Sequence, residues 1–169
     1  MRAFEFTADN EQDTERLGRV LAERLPTRTT VALDGPLGAG KTRLVQAVSA
    51  ACGVDRRDVV SPTFVLAHHY QGRRAIYHLD AYRIKDCDEF ADLGVEEYFA
   101  SDGLVFVEWA TRVAQSLPDE RLEIKIDVTG PSSRRFTLRG HGDRMVRIVV
   151  EIRDALQQSR NDDGMQPGP

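Results

Sequence analysis

Apolar positions along this chain come in short runs closed by glycine, proline or charge, and the spacing within the runs switches between two periods. Phe4 and Phe6 alternate as in a short strand. Leu17, Val20, Leu21 and Leu25 recur at helical spacing, with Asp9 or Asn10 able to cap the helix start and Pro26 able to stop it. Residues 29–34 (TTVALD) are β-rich and run into the glycine loop GPLGAGKT. From Lys41 to Ala51 a second helix turns Leu44, Val45 and Val48 inward, with Gly53 past its end. Residues 61–70 read as extended, 71–73 as a turn and 75–80 (AIYHLD) as a returning strand. Two short acidic helices are expected between Asp86 and Phe99, broken at Gly94, and residues 104–108 (LVFVE) form a compact buried strand.

After Pro118 the texture changes. Leu122, Ile124, Ile126 and Val128 alternate with polar residues, as do Phe136 and Leu138 beyond the Gly130-Pro131-Ser132-Ser133 turn. That pattern predicts a β-hairpin with one solvated face. Val146, Val149, Val150, Ile152 and Leu156 give residues 143–156 a helical period, and the polar, Gly- and Pro-containing end reads as a loose tail. The reading is an α/β protein with one domain over residues 1–157 and a disordered tail over 158–169.

Composition narrows the function classes. A chain of 169 residues carries one core, which buries about 70% of its unfolded surface, and has no room for a second catalytic domain. With Lys plus Arg at 23 against Asp plus Glu at 27, the net charge of −4 makes it a poor stand-alone binder of nucleic acid. No run reaches 18 apolar residues, and residues 1–10 contain Glu5 and Asp9 but no apolar signal core, so a cytoplasmic protein away from membranes is expected. Cys52 and Cys87, without a CxxC spacing, are expected to be reduced and buried.

The strongest motif is Gly35-Pro36-Leu37-Gly38-Ala39-Gly40-Lys41-Thr42, a complete G-x-x-x-x-G-K-[ST] match between a β-rich segment and an amphipathic helix. Glycines let successive N–H groups turn toward phosphate oxygens, and the following helix presents its positive end. Lys41 is expected on the β- and γ-phosphates and Thr42 on Mg²⁺. Such sites need a further acid, usually at the end of an apolar strand. Asp80 after IYHL and Glu108 after LVFV both qualify, one for the metal and one for water near the γ-phosphate. No N-K-x-D sequence is present, which favours ATP over GTP.

Ser61-Pro62-Thr63-Phe64 lies where a switch segment would follow the phosphate-loop helix. In His78-Leu79-Asp80-Ala81-Tyr82-Arg83, alternation puts His78, Asp80 and Tyr82 on one face. The adjacent His68 and His69 point to opposite faces, which argues against a shared metal. Trp109 reads either as a core residue or as one packed near the nucleotide. At this level an ATPase, a small-molecule or nucleotide kinase, and a non-catalytic nucleotide sensor all remain compatible with the motifs.

GPLGAGKT, SPTF, HLDAYR and VEW, in this order and spacing, resemble the TsaE (YjeE) family over roughly residues 5–140, including the N-terminal NEQDTERLG segment. The resemblance implies a P-loop NTPase fold, a mixed sheet flanked by helices with an added antiparallel hairpin. It implies a weak, Mg²⁺-dependent ATPase that acts with TsaD and TsaB in forming threonylcarbamoyladenosine on tRNA, meeting tRNA only indirectly. By that resemblance Leu37, Gly38, Ala39, Gly40, Lys41 and Thr42 bind the ATP phosphates, and Thr42 and Glu108 hold the metal. Lys41, Asp80 and Glu108 are the catalytic set, Thr63 sits in the switch loop, and Glu11, Trp109 and Arg134 complete the nucleotide site. Pro36 departs from the acidic or polar residue more usual there, and the segment after Gly142 has no clear counterpart.

Overall fold

The computed structural model describes residues 3–63 and 66–163. A seven-stranded sheet forms its centre, ordered β1-β7-β6-β2-β5-β4-β3, with β1 Phe4–Ala8, β2 Thr29–Asp34, β3 Ala67–Gln71, β4 Ala75–Asp80, β5 Leu104–Glu108, β6 Arg121–Val128 and β7 Arg134–His141. The middle strands β6, β2, β5 and β4 run parallel, and β1, β7 and β3 are attached antiparallel. The expected mixed α/β architecture with a hairpin added to the parallel core is therefore the one found.

Among the described residues five α-helices flank it: α1 Glu11–Arg24, α2 Lys41–Ala51, α3 Cys87–Asp92, α4 Val95–Ala100 and α5 Asp143–Asp163. One core layer packs α1, α2 and α5 against Phe6, Val31, Leu33, Phe106, Ile124 and Phe136 of the sheet. The other side buries Ala32, Leu79, Val105 and Val107 beneath Phe90, Val95 and Val113. Both faces of the central strands are thus covered, which is why β2 and β5 read as continuous apolar runs rather than alternating ones. Asn10 caps α1 by accepting from the Asp13 N–H at 3.0 Å.

Several expectations need correction. The extended segment anticipated over 61–70 is a strand only from Ala67. Before it, the Leu66 N–H donates to the Pro62 carbonyl at 2.7 Å and Leu66 takes a positive φ of 65°, closing a local turn in place of a ladder. Phe64 lies outside the described residues. Strand β4 ends at Asp80, so Tyr82 does not continue its face; the Tyr82 N–H instead folds back onto the Asp80 carboxylate at 2.8 Å. Cys52 is buried but Cys87 is only half-buried, and both are free. Helix α5 continues past Leu156 to Asp163, and it turns Met145, Val149, Ile152 and Leu156 inward while Val150 faces out. A 3₁₀ segment over Ala110–Ser116 follows β5 and was not foreseen.

Candidate functional site

Parallel strands deliver their carboxyl ends to one edge of a sheet, and that is where the motifs meet. Strand β2 ends at Asp34 and opens directly into the glycine loop. Gly38 and Gly40 take φ values of 75° and 107°, which a side chain with a Cβ resists. Gly40 stands at the N-terminus of α2, so the loop curls tightly and the first helical N–H groups face its interior. Pro36 contributes no N–H but closes the loop through its carbonyl, which accepts from Ala39 at 3.0 Å. Leu37 stands at the tip, 85% exposed.

The Lys41 ammonium is buried and held inside this curl. It donates to the carbonyls of Gly35 at 2.7 Å and Pro36 at 3.1 Å, and lies 3.9 Å from the centre of the Trp109 ring. Burial lowers its pKa from the ordinary lysine range, against the opposing pull of Glu108, Asp34 and Asp80. Trp109 itself sits at φ 58°, a left-handed conformation rare for so bulky a residue. That conformation swings the indole over Lys41, and Tyr82 backs it at 4.9 Å between ring centres. Trp109 is half-buried, packing at once against the core beneath β4 and β5 and over Lys41 at the loop.

Asp80 and Glu108 are direct partners in the β4–β5 register, so the two carboxylates stand side by side at the strand ends, both buried. Glu108 Oε1 accepts the Thr42 hydroxyl at 2.7 Å and the His78 Nε2–H at 2.7 Å. Asp80 accepts the Thr63 hydroxyl at 2.9 Å on one oxygen and the Tyr82 N–H on the other, and Ser61 lies 2.7 Å from Thr63. The segment carrying Ser61 and Thr63 is anchored upstream, where Gln46 donates to the Val59 carbonyl at 2.8 Å. Thr42, Thr63, Asp80, Glu108 and Trp109 line one cavity of about 360 Å³ beneath the loop.

A second cavity, of about 380 Å³, lies on the other side of the same glycines, so Gly38, Gly40 and Arg43 border both. Its remaining wall comes from the start of α1 and from the β6–β7 turn: Asn10, Glu11, Thr14, Pro131, Ser132 and Arg134. Glu11 pairs with Arg43. Arg134 spends its guanidinium on carbonyls, donating to Ala39 at 2.9 Å, Gly130 at 3.1 Å and Ser133 at 2.9 Å, so it braces the phosphate loop against the hairpin. Asn10, Thr14, Arg43, Pro131 and Ser132 were not singled out as site residues from the sequence, and His78 was named there only for sharing a strand face with Asp80. A polar Pro-Ser turn and a helix-capping Asn were the visible signals for three of them. A third cavity, of about 280 Å³, opens elsewhere, between the 3₁₀ segment and β6–β7, and contains none of the motif residues.

The donor set fits a hard cation: a threonine hydroxyl and a carboxylate oxygen already in contact, beside a loop shaped for phosphate. A phosphate cradle alone is shared by many proteins, but the family model described as Threonylcarbamoyl adenosine biosynthesis protein TsaE matches residues 8–136 of this chain. The chain belongs to the TsaE family. Among curated TsaE relatives, the tRNA threonylcarbamoyladenosine biosynthesis protein TsaE of Treponema pallidum is 36% identical over 127 residues, spanning 75% of this chain and 93% of its own length. The protein of the same name from Bacillus subtilis is 34% identical over 153 residues, spanning 90% and 95%. The crystal structure of Bacillus subtilis YdiB superposes with a TM-score of 0.75 at 28% identity, covering 95% of this chain and 97% of that one. The TsaE fold of this chain is thus a P-loop NTPase fold. Among the described residues no helix is long and apolar enough to cross a membrane.

Proposed function

We propose that the protein is the ATP-binding and ATP-hydrolysing component of the bacterial machinery that forms threonylcarbamoyladenosine on tRNA, with low turnover alone and activity that depends on TsaD- and TsaB-type partners in the cytoplasm. The contact that carries this reading is the 2.7 Å hydrogen bond from Thr42 to Glu108 behind the glycine loop, because it joins the phosphate cradle to a metal-competent carboxylate. The adenosine would occupy the cavity between α1 and the hairpin turn, with its polyphosphate threaded across Gly38 and Gly40 into the cavity beneath the loop. Thr42 and Glu108 would hold Mg²⁺, which when bound screens charge on the phosphate oxygens.

In that arrangement Lys41 moves its donors from the Gly35 and Pro36 carbonyls to phosphate oxygens and offsets charge that builds up as the bond to the γ-phosphorus breaks. Asp80 orients the attacking water and is itself steered by Thr63 and the Tyr82 N–H. Water adds to the γ-phosphorus, the bond to the β–γ bridging oxygen breaks, and ADP and phosphate leave. Departure of the γ-phosphate changes the surroundings of Asp80, and the 61–63 segment, tied to it through Thr63, carries that change to whatever partner rests on it. Placing carbamoyl-transfer chemistry and tRNA on the partners fits the acidic net charge of −4.

Single-turnover hydrolysis of ATP, with and without TsaD and TsaB, tests this. The expected result is slow release of phosphate alone, faster release with partners, and at least a hundredfold loss in Lys41→Ala, since one preorganised charge donor is worth roughly 10²–10³ in rate. Normal turnover in Lys41→Ala overturns the assignment.

A further inference from the structure

His78 is fully buried on β4, two residues before Asp80 and diagonal to Glu108 across the parallel β4–β5 register. Its Nε2 lies 2.7 Å from Glu108 Oε1, the same oxygen that accepts the Thr42 hydroxyl. A carboxylate only accepts, so Nε2 carries the hydrogen and Nδ1 presents a lone pair. That Nδ1 is buried with no hydrogen-bond partner among the described residues. An apolar ring of similar volume would fill the space beside Tyr70 without leaving a polar atom orphaned, so packing alone gives no reason for an imidazole here. Among the described residues the ring's polar contact is to Glu108. Tyr70, 6.5 Å from it ring to ring, exchanges hydrogen bonds with the Val60 backbone at 3.2–3.3 Å next to Ser61.

We propose that His78 is a positioning residue for Glu108: the Nε2–H fixes the carboxylate beside Thr42, and so sets how tightly the site holds Mg²⁺ with its nucleotide. The inference rests on the assignment of Glu108 to the metal. Thr42 is a small hydroxyl whose O–H can rotate away, whereas the histidine is clamped between strands and cannot, so His78 determines which way the carboxylate faces. Groups that orient a ligating carboxylate or histidine typically change metal affinity by roughly 10–100-fold when removed.

Trp109, the single tryptophan of the chain, lies over Lys41 and gives a fluorescence reading of the site that does not depend on turnover. Mg²⁺ is titrated into protein saturated with ADP, and ADP is titrated into protein held in a chelator. For His78→Phe the expected result is a half-saturating Mg²⁺ concentration raised roughly 10–100-fold, with ADP affinity in chelator unchanged within about twofold and His78→Gln close to wild type, because its amide N–H can reach Glu108. Unchanged Mg²⁺ dependence in His78→Phe overturns the role, and so does an equal loss with and without metal. If phenylalanine prevents folding, glutamine and asparagine decide the matter: the shorter asparagine amide should raise the Mg²⁺ requirement and glutamine should not, and equal behaviour overturns the role. Glu108→Ala separates the two claims. If it leaves the Mg²⁺ titration unmoved, the metal assignment fails; if it moves the titration and His78→Phe does not, only the positioning role fails.

Discussion

Lys41 carries a titration signature of its own. Burial lowers its pKa in the free protein, so the unfolded chain keeps that proton to higher pH than the folded one. In the alkaline interval between the two values the unfolded state binds more protons, and stability rises with pH there. A polyphosphate beside Nζ acts in the opposite sense, favouring the ammonium and raising its pKa in the complex. Nucleotide binding is therefore expected to take up a proton at alkaline pH, with affinity constant below the lowered lysine value and falling as pH rises through it. Titration calorimetry in two buffers of different ionisation enthalpy measures that proton. Lys41→Met should remove it, and binding by the wild-type chain without uptake would contradict the burial argument. The same lysine shows what the sequence exposed at this scale. Its identity was plain from G-K-[ST], but its resting partners, the Gly35 and Pro36 carbonyls and the ring of a left-handed Trp109, are announced by no residue pattern.

Helices α1 and α2 form the layer that carries both the start of the second cavity and the phosphate loop, and their crossing is set by Gly18. A Cβ at Gly18 would stand 2.5 Å from the Ala47 Cβ and 2.8 Å from its backbone carbon, distances that force the helices apart. Gly18→Ala gains up to about 1 kcal/mol of helix propensity, but overpacking of a tight contact typically costs about 1–3 kcal/mol. The expected outcome is a melting temperature lowered by a few degrees, at roughly 2–4 °C per kcal/mol for a chain of this size. Calorimetric melting checks it, and a raised value would mean that the helices separate freely. Elements of this kind were legible to different degrees for physical reasons. The strands β2, β4 and β5 and the helix α2 have the bounds expected from the residues, because the strands are β-rich segments closed by glycine or charge and the helix is an amphipathic stretch between Gly40 and Gly53. The turn before β3 and the 3₁₀ segment after β5 were not, because hydrogen bonds from Leu66 to Pro62 and from Thr111 to Asp34 decide them, and the latter spans 77 positions of the chain.

At the scale of the molecule, the two cavities are assembled from pieces that only the sheet order brings together. Asn10 and Glu11 meet Pro131 and Ser132 because β1 pairs with β7, and the Ser132 hydroxyl ties the hairpin turn to the Asp9 carbonyl at 3.1 Å. His78 meets Glu108 because β4 lies beside β5. Local periodicity carries no information on strand order, which is why the motif residues, His78 among them, could be named from the sequence while the wall of the second cavity and the pairing of His78 with Glu108 could not. The same assembly gives nucleotide binding a thermodynamic consequence. A ligand that touches α1, the phosphate loop, the β4 and β5 ends and the hairpin turn requires all of them folded at once, so it binds the native state alone. At a hundredfold excess over its Kd it should add about 2.7 kcal/mol of stability, or a rise in melting temperature of roughly 5–11 °C. Scanning calorimetry against ADP and Mg²⁺ concentration measures this. A rise that follows the logarithm of nucleotide concentration in the wild-type chain, and disappears in Lys41→Ala, is the expected result. A rise that persists in Lys41→Ala would place the ligand away from the phosphate loop and would remove the reason for reading the two cavities as one site.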